Sequence, residues 1–177
     1  MNKTAASPCL RILGTVIAVL ACAALLAQQG PRTAPIHFRN VAALAGIDFV
    51  LENSATPEKQ IVETMPGGVV AFDYDDDGRI DIFFTNGAAI PSLEKNHPKF
   101  SNRLYRNLGA MKFQDVTGEA GLSGLGYSMG AAAGDFDNDG RADLFVAGVS
   151  SNRLYRNLGN GRFEDVSKKA GIRSDLW

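Results

Sequence analysis

A short acidic loop occurs twice in the chain, and its residue types suit a hard metal ion. Both copies follow the pattern Asp-x-Asp-x-Asp-Gly-x-x-Asp, the first from Asp73 to Asp81 and the second from Asp135 to Asp143. Carboxylates packed this densely repel one another unless a cation lies among them. Ca²⁺ takes about 6–8 oxygen ligands, and a glycine at the sixth position permits the sharp turn around the ion. The pattern therefore predicts two calcium loops rather than two solvated acidic turns.

The loops begin like EF-hand loops but do not end like them. An EF-hand needs a bidentate glutamate at position twelve, between two helices, and Phe84 and Val146 stand there instead. Strand-forming runs such as Val69–Phe72 flank the loops, so each loop is predicted to join two strands of a β-hairpin. The predicted ligands are the aspartates at positions one, three, five and nine and the main-chain carbonyl at position seven: Asp73, Asp75, Asp77, Arg79 and Asp81, then Asp135, Asp137, Asp139, Arg141 and Asp143.

Each acidic loop belongs to a longer repeat. The string Ser-Asn-Arg-Leu-Tyr-Arg-Asn-Leu-Gly occurs identically at 101–109 and 151–159. A further pattern, Phe-x-Asp/Asn-Val-x-x-x-Ala-Gly-Ile/Leu, begins at Phe38, Phe113 and Phe163. The acidic loops lie 62 residues apart and the identical strings 50 apart, so the first unit carries a 12-residue insertion before position 101. Its many turn-forming residues predict a surface loop.

Four candidate strands can be counted in the second unit: Met129–Gly134, Asp143–Val149, Asn152–Asn157 and Arg162–Val166. Four strands in a period of about 40–60 residues are typical of propeller blades. The first strand is rich in small residues, which suits the crowded centre of a propeller, and the second is apolar on both faces, which suits a strand between neighbouring blades. The predicted fold is all-β: a partial β-propeller of two four-stranded blades plus an extra N-terminal outer strand at Phe38. A generic β-sandwich is the alternative.

These motifs resemble FG-GAP/VCBS repeats, the calcium-loop blades also found in integrin α-subunit propellers. The string from Glu63 to Asp73 and the Asn-Arg-Leu-Tyr-Arg-Asn segments are similar, more narrowly, to secreted bacterial relatives of cartilage acidic protein, which pair a calcium-bound propeller with an ASPIC/UnbV domain. The resemblance runs from about Ile36 to Ile172. Since a propeller has about 4–8 blades, we expect an N-terminal fragment or truncated product whose C-terminal blades are missing. Self-assembly of several copies into a ring is the alternative.

The first residues predict export from the cell. Lys3 and Arg11 accompany an apolar run at 12–27, the arrangement of a secretory signal peptide, with cleavage after Ala27. The string that ends at Cys22 leaves a lipoprotein as one alternative, and the length of the run leaves an uncleaved N-terminal anchor as another. The predicted location is secreted, periplasmic or at the cell surface, with no membrane span in the mature chain.

The predicted organisation is a signal peptide at 1–27, an N-terminal strand and linker at 28–64, a first blade at 65–122 and a second at 123–177. Both cysteines, Cys9 and Cys22, lie in the export segment. The mature chain would therefore contain no disulfide, and bound calcium would stabilise its fold instead.

The charge balance argues against nucleic-acid binding. Removal of Lys3 and Arg11 with the export segment leaves 16 basic and 19 acidic residues, a net charge of about −3. The repeated Arg-Leu-Tyr-Arg strings are interpreted as an outer strand with alternating exposure rather than as a basic-aromatic nucleic-acid surface.

No nucleophile motif is present, and His37 and His97 stand without partner acids at useful spacing. The predicted function is therefore a non-catalytic, secreted, calcium-binding propeller module for protein or carbohydrate binding or adhesion. The alternative is the propeller scaffold of an exported enzyme or biosynthetic accessory protein whose active part lies outside this chain.

Overall fold

Two four-stranded antiparallel sheets dominate the described part of the chain, and in each sheet every strand pairs with the next one in sequence. The computed structural model describes residues 35–174. Residues 41–174 belong to one compact unit and residues 35–40 to a separate N-terminal unit. The predicted signal peptide lies outside the described residues.

The first sheet, blade 1, consists of β1 (Val69–Phe72), β2 (Asp81–Phe84), β3 (Arg103–Gly109) and β4 (Lys112–Asp115). The second sheet, blade 2, consists of β5 (Tyr127–Gly134), β6 (Asp143–Val149), β7 (Arg153–Asn157) and β8 (Phe163–Asp165). Two short helices, α1 (Ala42–Ala45) and α2 (Thr117–Ala120), and two 3₁₀ turns, Ile61–Thr64 and Pro98–Phe100, complete the regular elements. The predicted all-β partial propeller is confirmed. Within residues 35–174, none of the helices has the length and apolar character needed to cross a membrane.

Blade 2 covers one face of blade 1, and a shared apolar core lies between them. Phe83 of β2 and Leu104 of β3 are fully buried in this core, and each such side chain contributes about 1.5–3 kcal/mol by leaving water. The innermost strands approach closely, since a Cβ atom on Gly68 would lie 2.5 Å from the Cα atom of Gly130. Gly68, which directly precedes β1, therefore permits the close approach to Gly130 of β5. The core consists of Phe72, Tyr74, Phe83, Leu104, Val116, Ala120, Leu122, Leu144, Val146, Tyr155 and Phe163.

The extra outer strand predicted at Phe38 is not formed. The repeated pattern places Phe113 in β4 and Phe163 in β8, where each pairs with the third strand of its own sheet. Among the described residues no such strand precedes Phe38, and residues 35–40 adopt no regular structure. In both blades the Asn-Arg-Leu-Tyr string supplies the strand that pairs with this pattern, and the sequence has no copy of that string before Phe38. This copy of the pattern forms only its helical part, α1, which ends at Gly46 in the left-handed conformation.

The chain between α1 and the first 3₁₀ turn packs against the other face of blade 1. Phe49 stacks on Phe84 with ring centroids 4.6 Å apart. The hydroxyl of Tyr105 donates to Asp48 Oδ1 at 2.7 Å, and burial, with this carboxylate beside it, raises the pKa of Tyr105. Both faces of blade 1 are therefore in contact with other parts of the chain.

The insertion of the first unit is only partly the surface loop that its composition predicts. The segment that contains the insertion runs from Asn86 to Pro98, and Asn86 is buried. Lys95 Nζ donates to the main-chain carbonyls of Asn86, Gly87 and Phe100 at 2.7, 2.8 and 2.6 Å. Burial lowers the pKa of Lys95 to about 7. The loop is thus held to the end of β2 by a lysine that the sequence did not single out.

Candidate metal centre

Each acidic loop connects the innermost strand of its blade to the second strand, as the hairpin prediction requires. Asp81 begins β2 opposite Phe72, and Asp143 begins β6 opposite Gly134. The chain turns back at the glycine in position six, where φ is 81° at Gly78 and 88° at Gly140. Residues with a Cβ atom are strained in this conformation, so the glycine is needed for the turn.

The carboxylate of the aspartate at position one holds the turn by accepting hydrogen bonds from main-chain N–H groups of the loop. Asp73 accepts hydrogen bonds from the N–H groups of Asp77 and Gly78 at 3.1 and 2.7 Å. Asp135 accepts from Asp139 and Gly140 at 3.1 and 2.9 Å. Such local bonds are characteristic of aspartate in turns, and they give the two loops the same internal geometry.

The aspartate at position nine is buried and ties three segments of the blade together. Asp81 accepts from the N–H of Tyr74 at 3.1 Å and from the N–H of Asn107 at 2.7 Å. Burial raises the pKa of Asp81, and these two N–H donors oppose the shift. Asp143 makes the equivalent bonds to Phe136 and Asn157 at 3.1 and 2.7 Å. This residue is therefore structural, whether or not it also binds a metal.

Three carboxylates of each loop converge. One oxygen from each lies within 4.8 Å of the others in two groups, Asp73 with Asp75 and Asp81, and Asp135 with Asp137 and Asp143. Asp75 Oδ1 is buried and accepts no hydrogen bond. Burial raises the pKa of Asp75, although the guanidinium of Arg106 opposes the shift. A buried, unpartnered oxygen among hard oxygen donors fits a cation of the calcium or magnesium type.

The aspartate at position five lies beside arginines rather than in this convergent group. Asp77 pairs with the side chains of Arg79 and Arg106. Burial alone would raise the pKa of Asp77, but the N–H of Arg79 and the guanidinium of Arg106 bring it below its ordinary value. The same pairing recurs in blade 2 between Asp139, Arg141 and Arg156.

Arg106 and Arg156 were not predicted to lie at the loops. Arg106 Nη2 lies 2.8 Å from Asp75 Oδ2, and Arg156 Nε lies 2.5 Å from Asp137 Oδ2. The two arginines occupy the same position in the identical strings 101–109 and 151–159, and this repetition could have indicated a shared contact with the loops. The strings were instead interpreted as outer strands with alternating exposure.

Arg79 and Arg141 were predicted to act through their main-chain carbonyls, yet their side chains also have a role. Arg79 Nε donates to the carbonyl of Asn107 at 2.7 Å, and Arg141 Nε donates to that of Asn157 at 3.2 Å. Each guanidinium thus ties its loop to the third strand of its blade.

The two centres differ in what surrounds position two. Tyr74 is 5% exposed, whereas the equivalent Phe136 is 48% exposed. The Tyr74 ring stacks on Phe163 of blade 2 with centroids 6.4 Å apart, and its carbonyl accepts a hydrogen bond from Asn157 Nδ2 at 2.8 Å. The first loop is therefore enclosed by the neighbouring blade, and the second is open to solvent.

Comparison with known families agrees with this architecture. The FG-GAP-like repeat family matches residues 73–146 and 135–176, which together span more than half of the chain. The protein belongs to the FG-GAP-like repeat family. No curated protein matches the chain significantly.

Proposed function

We propose that this chain is a non-catalytic β-propeller module of an exported protein, and that its two acidic loops bind Ca²⁺. The observation that carries the proposal is the convergence of three carboxylates in each loop. The resemblance to calcium-loop blades favours Ca²⁺ over other hard cations. Bound Ca²⁺ would supply the positive charge that lets these carboxylates remain ionised side by side.

The hydrogen bonds of each residue indicate its role in the proposed centre. In the first loop, Asp73 and Asp81 hold the turn and the strand ends through main-chain N–H groups, and Asp75 offers its unpartnered oxygen. Asp77 and the carbonyl of Arg79 complete the proposed ligands. Asp135, Asp137, Asp139, Arg141 and Asp143 have the same roles in the second loop.

The surroundings of these carboxylates support a structural rather than a catalytic role. Asp81 and Asp143 are buried, and each accepts two main-chain hydrogen bonds. Asp77 and Asp139 are paired with arginines. These contacts account for the carboxylates through the loop and the strands that they hold, without a role in proton transfer.

We further propose that the module binds protein or carbohydrate partners outside the cell. The charged and apolar stretches before position 28 support export. Extracellular calcium modules bind Ca²⁺ with dissociation constants of about 10⁻⁴–10⁻³ M, which suits the calcium levels of that compartment.

The partly exposed apolar face of blade 2 supports packing of a further blade, because it repeats the face of blade 1 that blade 2 covers.

A calcium titration by calorimetry on the purified chain tests the central proposal, together with thermal melts in calcium and in chelator. We expect about two sites and a higher melting temperature in calcium. Asp73→Asn and Asp135→Asn should each remove one site. Asp76→Asn is the matched control, because Asp76 is exposed and blade 2 already has Asn138 at this position. β-structure by circular dichroism without calcium binding would refute the proposal.

A further inference from the structure

We infer that blade 2 positions the metal centre of blade 1, so that two loops of the same sequence pattern differ in calcium affinity. The first loop binds more tightly because residues of the next blade hold it in place. This inference rests on the calcium binding proposed above.

The side chain of Asn157 connects blade 2 to the first acidic loop. Within its own blade, its Nδ2 donates to the carbonyl of Ala142 at 3.0 Å and its Oδ1 accepts from the N–H of Gly159 at 2.9 Å. The same Nδ2 also donates to the carbonyl of Tyr74 in the first acidic loop at 2.8 Å. The residue therefore belongs to blade 2 and supports the loop of blade 1.

Asn107 is the equivalent residue of blade 1, and its side-chain hydrogen bonds can be compared with those of Asn157. Its Nδ2 donates to the carbonyl of Ile80 at 2.9 Å and its Oδ1 accepts from the N–H of Gly109 at 2.9 Å. These two bonds repeat those of Asn157 within its own blade. Of the bonds made by the Asn157 side chain, only the one to Tyr74 crosses to blade 1. The repeat therefore separates the local role of this asparagine from its role across the interface.

The supported residue lies between two proposed ligands. Tyr74 follows Asp73 and precedes Asp75, and its N–H donates to Asp81. Its ring lies against Phe163 in the core between the blades. The segment that carries the first two ligands is thus held at its N–H, its carbonyl and its side chain, and a site held in advance loses less conformational freedom when it binds an ion.

The second loop has the equivalent N–H bond, from Phe136 to Asp143, but it lacks the support of a neighbouring blade. Phe136 is half exposed, and within the described residues no hydrogen bond is made to its carbonyl. Asp135 and Asp137 are exposed, whereas Asp73 and Asp75 are half-buried. Charges that are less screened by water attract a cation more strongly, so support and burial both favour tighter binding at the first loop.

The test measures each loop alone. In an Asp135→Asn background only the first loop binds calcium, and in an Asp73→Asn background only the second does. We expect Asn157→Ala to weaken calcium binding at the first loop about 3- to 10-fold, the effect of one lost hydrogen bond. The mirror control is Asn107→Ala measured at the second loop, where the affinity should not change.

A second pair of variants tests the support of position two, and a second readout guards against simple loss of folding. Tyr74→Ala should weaken the first loop, and Phe136→Ala should leave the second unchanged. Because linkage is reciprocal, calcium added to the Asp135→Asn protein should also slow hydrogen exchange at the amides of β7 and β8. A structural role of Asn157 confined to its own blade would not produce this protection.

The outcomes separate this inference from the proposal on which it rests. Calcium binding at both loops with equal affinity, or an unchanged first loop in Asn157→Ala, would overturn the inference and leave calcium binding intact. Absence of calcium binding by the folded wild-type chain would overturn both.

Discussion

The same face of the repeat occurs twice in this molecule, once covered and once open. On blade 1, Phe83 and Leu104 are fully buried beneath blade 2. Their equivalents on blade 2, Phe145 and Leu154, are only half-buried, although the sheet beneath them is paired in the same register. The repeat therefore determines the sheet, while the neighbour determines whether its apolar face contributes to stability.

The largest expected difference between the two faces is in the free energy of unfolding. Phe83→Ala should lower it by about 3–5 kcal/mol, the usual cost of a cavity left by a buried phenylalanine. Phe145→Ala should lower it by about 1 kcal/mol, since the half-buried ring leaves less of a cavity. Denaturant unfolding of both variants measures the two effects. Equal losses would contradict the assignment of covered and open faces.

Covering the open face should make the two positions equivalent. We expect that a second copy of residues 123–174, joined after residue 174, would pack on blade 2 as blade 2 packs on blade 1. The effect of Phe145→Ala in this extended chain should rise towards that of Phe83→Ala, because the ring would become buried. The matched control replaces the equivalents of Leu144 and Val146 by Glu in the added copy, which should abolish the increase. An increase that survives the control would show that the added copy does not pack in this way.

A smaller effect concerns the segment that packs on the other face of blade 1. The Glu63 carboxylate accepts from the Thr56 hydroxyl and from the N–H groups of Thr56 and Gln60. The hydrogen bond from the Thr56 hydroxyl, aided by these N–H groups and opposed by burial, lowers the pKa of Glu63 below its ordinary value of 4.5. A carboxylate with a lowered folded-state pKa stabilises the fold above its unfolded pKa, and this contribution is lost as the pH falls through the folded value.

Glu63→Gln should therefore be less stable than wild type at neutral pH, and the difference should shrink below about pH 4.5. Denaturant unfolding of both proteins across this pH range measures the change. Glu58→Gln removes the same charge from an exposed position of the same segment and should show no such trend. Parallel stability profiles for wild type and Glu63→Gln would rule out a role of Glu63 in holding the segment.

The strands and their order could be predicted because their signals are local. The runs around each acidic loop predicted hairpins, and β1 and β6 have the bounds expected from the pattern. The strand expected at Phe38 was wrong for a related reason: its local pattern is that of β4 and β8, but pairing also needs a neighbouring strand. The Asn-Arg-Leu-Tyr string that supplies this neighbour in blades 1 and 2 has no copy before Phe38.

The contacts of the candidate site also divide into local ones, which the sequence predicted, and distant ones, which it did not. The convergence of Asp73 with Asp81 depends on a turn of a few residues, so spacing was sufficient to predict it. The approach of Arg106 to Asp77 spans 29 residues, and the bond from Asn157 to Tyr74 spans 83. No spacing within one loop encodes such contacts.

By itself, the sequence determined the turn of each loop, the alternation of strands and the repeat that makes two sheets of one kind. These depend on bonds between near neighbours in the chain and on side-chain periodicity. Only the tertiary structure decided that the Tyr74 loop is enclosed and the Phe136 loop is open. Burial is a property of the surfaces that meet, and two identical patterns acquire different environments when only one of them has another blade packed against it.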